Sequence, residues 1–408
     1  MTGEIVIVGA GLCGARAAFA LRERGFSGRV TLVGEEVHLP YERPPLSKPS
    51  TAGPPVPQLV AARQAYDDAG IELLTGHCVT KIDRAAKRLV LSDAGSLGYD
   101  RLLLATGARP RRLPNLTASR QLLTLRTHGD AERIAARLVP GRRLVVIGGG
   151  FIGLELSAMA RQAGAEVTVV EGQARLLARA VPAEIAALVE ARHRQAGTRI
   201  LLDAGVAAID ETEDEITVSL VDGTHVTGDV ALLGIGAVPN TELAEAAGLR
   251  LENGIAVDEY LTSSDPDIFA AGDCCSFPLA LYGNRRIRLE SWRSAQDQGS
   301  LVAANLLGAR NPVGHVPWFW SDQFDLTLQI AGLADTATRT VRRELGDNAV
   351  ILFHLEESGR LVAASAIGPG NTVARDVRLA EMLIAARACP DPLALASPDI
   401  RLKSLLAA

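Results

Sequence analysis

Two glycine clusters with the same spacing offer the clearest chemistry in this chain, the binding of phosphate groups. Both read G-x-G-x-x-G, one at Gly9–Gly14 and the other at Gly148–Gly153. The first glycine of such a cluster permits a tight turn, the second leaves room for a pyrophosphate, and the third lets a helix pack closely on the sheet. The N-terminus of that helix offers free N–H groups and its positive dipole end to the phosphates. Each cluster therefore predicts a dinucleotide-binding loop.

The elements around the two clusters repeat one plan. An apolar run typical of a buried parallel strand precedes each cluster, and a helix is expected after it. A second strand follows each helix, at Arg29–Val33 and at Glu166–Val170, and an acid lies just beyond it, Glu35 or Glu171. An acid about 20 residues past the loop is the usual acceptor for ribose hydroxyls. The repetition predicts two dinucleotide sites on one chain.

Each copy is also followed by hairpin signals and a strand that ends in glycine. Strands at Arg88–Ser92 and Tyr99–Leu104 flank a glycine-containing turn and predict a hairpin. In the second copy, a strand at Ile216–Leu220 precedes the turn signal Asp222-Gly223, and Val230–Ile235 is expected to form a strand.

Composition and length exclude several classes of protein. The chain has 408 residues, enough for two or three domains at roughly 150 residues each. Its formal net charge of −5 argues against a nucleic-acid-binding protein, which is usually basic. No apolar run approaches the ~20 residues of a membrane span, and no basic segment precedes the first strand. We therefore expect a cytoplasmic protein without a membrane or nucleic-acid partner.

The five cysteines are Cys13, Cys78, Cys274, Cys275 and Cys389. None has a spacing suited to a metal site or a redox pair, so reduced thiols and no metal are expected. A strained disulfide between Cys274 and Cys275 is the less favoured alternative.

Four motifs in order carry a resemblance to a known family. GAGLCG near the N-terminus, ATG at 105–107, GGGFIG at 148–153 and FAAGD at 269–273 together resemble the glutathione-reductase-type flavoprotein fold. Two further stretches, PYERPPLSK at 40–48 and WFWSDQ at 318–323, resemble the NADH-dependent ferredoxin reductases of bacterial oxygenase systems. The resemblance covers the whole chain.

The fold class implied is α/β, with two Rossmann-like dinucleotide-binding domains of the glutathione-reductase type and a C-terminal α+β domain. The expected boundaries are 1–108 with 236–317 for a discontinuous FAD-binding domain, 109–235 for an NADH-binding domain, and 318–408 for the C-terminal domain. In that C-terminal part, apolar alternation predicts strands at Thr327–Ile330 and Ala349–Leu355, and helices are expected near Val373–Cys389.

The resemblance also implies the cofactor-binding residues. For FAD they are Gly9, Gly11, Leu12, Cys13, Gly14, Glu35, Arg43, Lys48, Val79, Ala105, Thr106, Gly107, Arg126, Gly272, Asp273, Glu290, Ser291 and Trp292. For NADH they are Gly148, Gly149, Gly150, Phe151, Ile152, Gly153, Glu155, Glu171, Arg179, Ile235 and Gly236.

Lys48 and Glu155 are the residues to which the resemblance assigns catalytic roles. A lysine near the flavin stabilises negative charge on the reduced ring, whereas Lys48 could otherwise be a surface residue after a Pro-Pro turn. Glu155 would contact the nicotinamide amide, or it could simply stabilise the first turn of its helix. Glu171 would accept the 2′-hydroxyl and repel a 2′-phosphate, which favours NADH; the nearby Arg175 and Arg179 could soften that choice.

The expected activity is that of an NADH-dependent ferredoxin–NAD(+) reductase, which passes electrons through FAD to a ferredoxin serving an oxygenase in aromatic hydrocarbon catabolism. A rubredoxin reductase, an NADH oxidase that reduces O₂ directly, and a redox-regulated protein resembling apoptosis-inducing factor are the alternatives. The expected partner is a small acidic [2Fe-2S] ferredoxin that docks near Trp320, and the chain should be a monomer or weak homodimer. A basic rim for this partner is predicted from six arginines: Arg285, Arg286, Arg288, Arg339, Arg342 and Arg343.

Overall fold

The computed structural model describes residues 3–48, 56–113, 120–346 and 348–406. The chain divides into two compact units. Unit 1 contains residues 1–42, 57–109 and 238–317, and unit 2 contains residues 43–56, 110–237 and 318–408. The segment that includes Lys48 thus groups with unit 2, whereas the sequence assigned it to the first domain. The three predicted domain boundaries remain a prediction.

The helices of the described residues vary from one turn to four. In chain order the α-helices are α1 (Leu12–Glu23), α2 (Arg63–Asp68), α3 (His128–Ala135), α4 (Phe151–Gln162), α5 (Ala183–Gln195), α6 (Glu242–Ala246), α7 (Trp292–Leu306), α8 (Ala374–Ala385) and α9 (Pro392–Ala396). Short 3₁₀ turns occur at Pro44–Ser47, Ala280–Tyr282 and Leu402–Leu406. Among the described residues, no helix is long and apolar enough to cross a membrane.

A parallel five-stranded sheet forms the centre of unit 1. Its strands lie in the order Ile268–Ala270, Arg101–Leu104, Glu4–Val8, Arg29–Gly34 and Ile71–Thr75. The central strands are apolar on both faces, as expected where both faces are covered. Helix α7 packs against α1 closely enough that a Cβ on Gly299 would lie 2.6 Å from the Cys13 carbonyl oxygen.

Two three-stranded sheets also belong to unit 1. One is formed by Ile255–Ala256, Cys275–Leu279 and Arg285–Ile287, and the other by Val79–Asp83, Arg88–Leu91 and Ser96–Gly98. The second sheet corrects a sequence prediction. Arg88–Leu91 forms its hairpin with Ser96–Gly98, whereas Arg101–Leu104 joins the central parallel sheet. The apolar residues of that strand are better buried between parallel neighbours than at a hairpin edge.

Unit 2 repeats the parallel arrangement. The strand order is Arg199–Leu201, Glu166–Val170, Arg143–Ile147, Val230–Leu233 and Leu122–Leu123. A three-stranded antiparallel sheet is formed by Val206–Glu211, Ile216–Leu220 and His225–Gly228. The Asp222-Gly223 turn therefore joins Ile216–Leu220 to His225–Gly228.

The C-terminal part of unit 2 is an antiparallel sheet with helices. Its strands lie in the order Trp318–Gln323, Leu326–Gly332, Leu361–Pro369, Ala349–Leu355 and Arg339–Gly346. The strands predicted at Thr327–Ile330 and Ala349–Leu355 are confirmed. Side chains of this sheet, such as Leu328 and Ile367, share one buried cluster with Val146 and Leu154 of the parallel part. This shared core fixes the C-terminal sheet relative to α4.

Candidate functional site: two glycine loops and a buried carboxylate

The first glycine loop is held by close backbone contacts within unit 1. Gly9 has φ of +113°, and a Cβ there would lie 2.1 Å from the Ala105 carbonyl oxygen. A Cβ on Gly14 would lie 2.0 Å from the Gly9 carbonyl oxygen. Both distances are far below a permissible contact, so only glycine allows α1 and the Ala105 strand end to approach the loop this closely.

The middle glycine of this loop is different, because none of the described residues restricts it. Gly11 precedes α1 with φ of −82° and ψ of −174°, a conformation open to any residue. A Cβ on Gly11 would meet no atom of the described residues within 4 Å, and no side chain among them caps the N-terminus of α1. An open cradle with uncapped N–H donors fits a pyrophosphate.

The surrounding residues of unit 1 are fixed by reciprocal hydrogen bonds. Thr106 Oγ1 donates to the Asn240 carbonyl oxygen at 2.7 Å, and Asn240 Nδ2 donates back to the Thr106 carbonyl oxygen at 2.8 Å. The Asn240 N–H donates to the Gly107 carbonyl oxygen at 2.9 Å. These bonds hold the ATG strand end.

Gly272 lies beside the predicted FAD loop. Its N–H donates to Gln298 Oε1 at 2.8 Å, and a Cβ on Gly272 would lie 3.2 Å from the Cys13 Cβ. Gln298 is fully buried on α7. The structure thus brings Cys13, Gly272 and the start of α1 together, and Asp273 follows immediately.

The other residues predicted for FAD are divided between unit 1 and unit 2. Val79 is buried at the start of its strand, whereas Glu35 is exposed just beyond Arg29–Gly34. Glu290 pairs with Arg288, and Ser291 caps α7, whose first residue is Trp292. Arg43 and Arg126 belong to unit 2, where Arg43 Nη1 donates to the Arg126 carbonyl oxygen at 2.5 Å.

The second glycine loop repeats this geometry in unit 2. Gly148 has φ of +106°, and its Cβ would lie 2.4 Å from the Gly234 carbonyl oxygen. A Cβ on Gly153 would lie 2.2 Å from the Gly148 carbonyl oxygen. Gly150 has φ of −84° and ψ of 178°, and the nearest described atom to its Cβ would be 3.8 Å away. Helix α4 also lacks a side-chain cap from any described residue, so the second loop fits a pyrophosphate as well.

Glu171 is already tied to this loop. Its Oε2 accepts from the Gly149 N–H at 2.6 Å, and its Oε1 accepts from the Gln173 N–H at 2.8 Å. The carboxylate therefore has a fixed position at the strand end where a ribose is expected.

The two arginines near Glu171 differ in availability. Arg175 uses its guanidinium to bond loop carbonyl oxygens, among them Ala178 at 2.8 Å and Val181 at 3.0 Å. Arg179 is exposed, and its Nη2 would lie 3.9 Å from a Cβ on Gly236. Arg175 thus serves the loop itself, and Arg179 remains the cation that could face a ligand beside Ile235 and Gly236.

Glu155 is the centre of a buried polar cluster in unit 2. It lies on α4 and is only 7% exposed. Its Oε2 accepts from Ser47 Oγ at 2.5 Å and its Oε1 accepts from Ser321 Oγ at 2.6 Å. Lys48 Nζ lies 3.4 Å from the same Oε1. A buried charge requires such partners, because desolvation alone would make it unstable.

Lys48 bridges two carboxylates. Its Nζ lies 2.8 Å from Asp322 Oδ2, and Thr327 Oγ1 donates to Asp322 Oδ1 at 2.9 Å. The structure therefore brings together the two residues with predicted catalytic roles, Lys48 and Glu155. Lys48 is 26% exposed and paired with both carboxylates, and its catalytic role stays a prediction.

Aromatic side chains adjoin this cluster. Phe151, at the start of α4, packs against Phe319 with ring centroids 4.4 Å apart, and Ile152 next to it is 45% exposed. Trp318 and Trp320 stack on the same strand as Phe319, with ring centroids 5.3 Å apart.

All five cysteines are free thiols. Cys13, Cys274 and Cys275 are buried, and burial raises the pKa of each thiol above its ordinary value. Cys274 Sγ donates to the Ala271 carbonyl oxygen at 3.3 Å and Cys275 Sγ to Gln298 Oε1 at 3.3 Å. The two neighbours thus bond separate acceptors, and the vicinal disulfide is absent.

Several residues of these sites were not predicted from the sequence. Ser47, Ser321 and Asp322 lay inside the quoted motifs, but nothing in their type assigned them to Glu155. Gln323 lay in the same motif as Ser321, whereas Gln298 and His193 lay outside every quoted motif; each of the three acts through a contact between elements distant in sequence. Only the fold shows that these polar side chains are buried.

Comparison with known proteins agrees with this geometry. Residues 3–299 match the family described as pyridine nucleotide-disulphide oxidoreductase, and residues 318–406 match a reductase C-terminal family. The chain belongs to the pyridine nucleotide-disulphide oxidoreductases. It is an oxidoreductase, and membership implies a flavin and NAD(H).

Relatives within this oxidoreductase family match over nearly the full length. The chain is 42% identical over 407 residues to the ferredoxin–NAD(+) reductase component of the anthranilate 1,2-dioxygenase system of Burkholderia cepacia, covering 98% of both chains. It is 39% identical over 417 residues to putidaredoxin reductase of Pseudomonas putida, covering 99% of this chain and 97% of the relative. A solved covalent putidaredoxin reductase–putidaredoxin complex matches with a TM-score of 0.93 and 37% identity, covering 99% of this chain and 98% of that chain. The resemblance and α/β fold class are confirmed.

Proposed function

We propose that this oxidoreductase binds FAD at the Gly9–Gly14 loop and NADH at the Gly148–Gly153 loop, and passes electrons to a small ferredoxin that feeds an oxygenase. When bound, FAD can accept a hydride and then release electrons one at a time. The observation that carries the proposal is the pair of open glycine cradles, each at a helix N-terminus that no described side chain caps.

Several residues of unit 2 support the assignment of NADH to the second loop. Glu171 presents a fixed carboxylate to the ribose, and Glu155 offers a buried acceptor to the nicotinamide amide. Lys48 Nζ, 3.4 Å from Glu155 Oε1, places a positive charge beside that acceptor.

The electron acceptor is proposed to be an external protein. Because the cysteines are unpaired and three are buried thiols with raised pKa, this chain offers no disulfide to receive the electrons. The relatives named above are ferredoxin reductases, and one solved relative is a complex with putidaredoxin. We extend a ferredoxin acceptor to this chain and propose that this ferredoxin is small and acidic and carries a [2Fe-2S] cluster. We also propose a cytoplasmic location, where NADH is available. A monomer or weak homodimer remains part of the proposal.

Docking of the ferredoxin near Trp320 also remains a proposal, but its basic rim needs revision. Arg343 is 5% exposed and donates to the carbonyl oxygens of Leu395, Pro398 and Ile400, so it holds the C-terminal segment. Arg342 pairs with Glu184 and Glu344.

Two arginines of unit 1 are engaged as well, because Arg286 bonds backbone carbonyl oxygens and Arg288 pairs with Glu290. Of the predicted arginines in unit 2, Arg339 is exposed, but its strand forms the sheet edge opposite Trp318–Gln323, four strand spacings or roughly 19 Å away, so it would be an outer contact of a partner docked near Trp320.

A panel of acceptors tests the proposed function. Steady-state NADH oxidation would be measured with [2Fe-2S] ferredoxins, rubredoxin and O₂ alone. A kcat/KM with one ferredoxin well above that for rubredoxin, and little turnover with O₂, supports the proposal. Preference for rubredoxin, or full turnover with O₂ alone, would replace it with one of the two alternative activities.

The docking site is tested separately with Arg339→Glu and Trp320→Ala. Both should raise KM for ferredoxin, and the effect of Arg339→Glu should shrink as salt rises. Arg378→Glu, an exposed arginine on α8, is the matched control. Unchanged ferredoxin KM in both test variants would place recognition elsewhere.

A further inference from the structure

A row of four hydrogen-bonded side chains runs through unit 2 and ends on Glu155. His193 Nε2 lies 2.9 Å from Gln323 Oε1, and Gln323 Nε2 lies 2.9 Å from Ser321 Oγ. Ser321 Oγ lies 2.6 Å from Glu155 Oε1. The row joins helix α5, the strand Trp318–Gln323 and helix α4.

Its members are far more buried than polar side chains usually are. His193, Gln323 and Ser321 have no exposed surface, and Glu155 is 7% exposed. Burying polar groups is costly unless they are hydrogen-bonded, and three apolar residues would pack here without that cost. The presence of polar side chains at these positions therefore points to a role beyond packing.

The Glu155 carboxylate, at the charged end of the row, determines which group donates in every hydrogen bond of the row. An ionised carboxylate only accepts, so the single hydroxyl proton of Ser321 is donated to Glu155. Ser321 Oγ must then accept from the amide NH₂ of Gln323, which turns Gln323 Oε1 toward His193. Gln323 Oε1 can only accept, so His193 carries its proton on Nε2.

The state of His193 agrees with this direction. Burial lowers the pKa of His193, which favours the neutral ring. Its Nδ1 has no hydrogen-bond partner among the described residues. A neutral ring with the proton on Nε2 leaves only a lone pair unsatisfied at Nδ1, whereas the opposite tautomer would bury an unpaired N–H.

We propose that Ser321, Gln323 and His193 are positioning residues, whose donors all point toward Glu155 and fix its carboxylate for the nicotinamide amide. Aligned hydrogen bonds polarise one another, so the last donor of the row is strengthened. Ser47, Ser321 and Lys48 occupy about three of the roughly four acceptor positions of the carboxylate and leave one for an amide N–H. This inference rests on the proposed NADH site.

The first test determines the tautomer of His193, and thus the direction of the hydrogen bonds in the row, without measuring activity. Long-range ¹H–¹⁵N spectra of the ¹⁵N-histidine-labelled holoenzyme report the tautomer of each of the seven histidines. The His193 signals, assigned by their loss in His193→Gln, should show a neutral ring protonated at Nε2, with slow exchange of that proton. A ring protonated at Nδ1, or a charged ring at pH 7, would overturn the proposal.

The second test uses Gln323→Glu, a substitution of the same shape that reverses the row. A carboxylate at 323 would take the Ser321 proton away from Glu155. At saturating NADH, the rate constant of flavin reduction in anaerobic stopped-flow should fall by roughly tenfold, with flavin content unchanged. The rate constant of flavin reduction should fall similarly in Ser321→Ala. His193→Gln keeps an N–H in place of Nε2, so its rate constant should be higher than that of His193→Leu.

Controls separate this inference from the proposed function. His354→Leu removes another buried histidine of unit 2 outside the row and should leave flavin reduction unchanged. If Glu155→Gln does not slow reduction, the role proposed for Glu155 is wrong. If Glu155→Gln slows it but Gln323→Glu and Ser321→Ala do not, the positioning row alone is refuted. In the Glu155→Gln background, Ser321→Ala should add little further loss.

Discussion

Glu171 Oε2 accepts a 2.6 Å hydrogen bond from the Gly149 N–H, so the acid that ends one strand is fastened to the second glycine loop. Glu171 therefore holds the loop, and its second, proposed function is to present negative charge to the adenosine ribose. A substitution that tests coenzyme preference must preserve the first function while removing the second.

Glu171→Gln meets this requirement at the glycine loop, because its uncharged amide oxygen still accepts from the Gly149 N–H; the bond from the Gln173 N–H is lost, since the amide NH₂ only donates. We expect kcat/KM to fall for NADH and rise for NADPH, so that the preference ratio drops by roughly tenfold or more, the value of one charge-assisted hydrogen bond. Glu166→Gln, exposed at the other end of the same strand, is the control and should leave the ratio unchanged. Equal kcat/KM for both coenzymes in the unaltered protein would contradict the assignment.

At the open cradles of Gly11 and Gly150, ligand binding can be tested with variants that should still fold. Neither position has a restrictive backbone, and no atom of the described residues would come closer than 3.8 Å to an added Cβ, so Gly11→Val and Gly150→Val should fold normally. Gly11→Val should lose most of the yellow flavin, and Gly150→Val should keep it but bind NADH weakly. Flavin absorbance and NADH titration report the two outcomes.

Gly14→Ala is the contrasting variant, since its Cβ would lie 2.0 Å from a backbone oxygen. It should reduce soluble yield and Tm. If Gly11→Val retained its full flavin content, the assignment of FAD to the first loop would have to be abandoned.

Turnover should need no thiol. Burial raises the pKa of Cys13, Cys274 and Cys275, which keeps their reactive thiolate forms scarce. Cys274→Ser and Cys275→Ser should keep ferricyanide reduction, since a hydroxyl can donate to the same acceptors. Iodoacetamide followed by peptide mass spectrometry should label exposed Cys389 first. Loss of flavin reduction by NADH in either serine variant, with FAD still bound, would show that a thiol takes part.

The C-terminal sheet should lose stability in mild acid through His354. Burial lowers the pKa of this histidine to about 4, against about 6.5 for an exposed one. The unfolded state therefore binds a proton that the folded state does not, and stability falls as pH drops below about 6.5. At pH 5 the loss relative to pH 7 should be about 2 kcal/mol.

Amide hydrogen exchange of Ala349–Leu355, compared between pH 7 and pH 5 after correction for the intrinsic rate, measures this effect. His354→Gln should weaken the pH dependence, whereas His225→Gln, at an exposed position, should not. The same pH dependence in His354→Gln and the unaltered protein would show that other groups cause it.

The sequence revealed those parts of the molecule whose chemistry is local. Gly9–Gly14 and Gly148–Gly153 indicate their loops because turn, phosphate cradle and helix packing each require glycine within six residues. The pairing of strands was harder to predict from the sequence. Arg101–Leu104 was expected in a hairpin, but its apolar residues favour the buried parallel sheet. The burial of charged and polar side chains was the hardest feature to predict from the sequence. Arg343 was expected on a basic rim, yet it lies inside and holds three carbonyl oxygens, and His193 reaches Glu155 only through two intermediate side chains.

Electron transfer from NADH to a ferredoxin can be followed step by step in a single-turnover experiment. Under anaerobic conditions, one equivalent of NADH is mixed with the holoenzyme, and oxidised [2Fe-2S] ferredoxin is added afterwards. We expect rapid bleaching of the flavin absorbance by NADH, then its recovery as two ferredoxin molecules are reduced for each NADH. Bleaching that persists in the presence of every ferredoxin tried, but is reversed by rubredoxin or by O₂ alone, would contradict the proposed function.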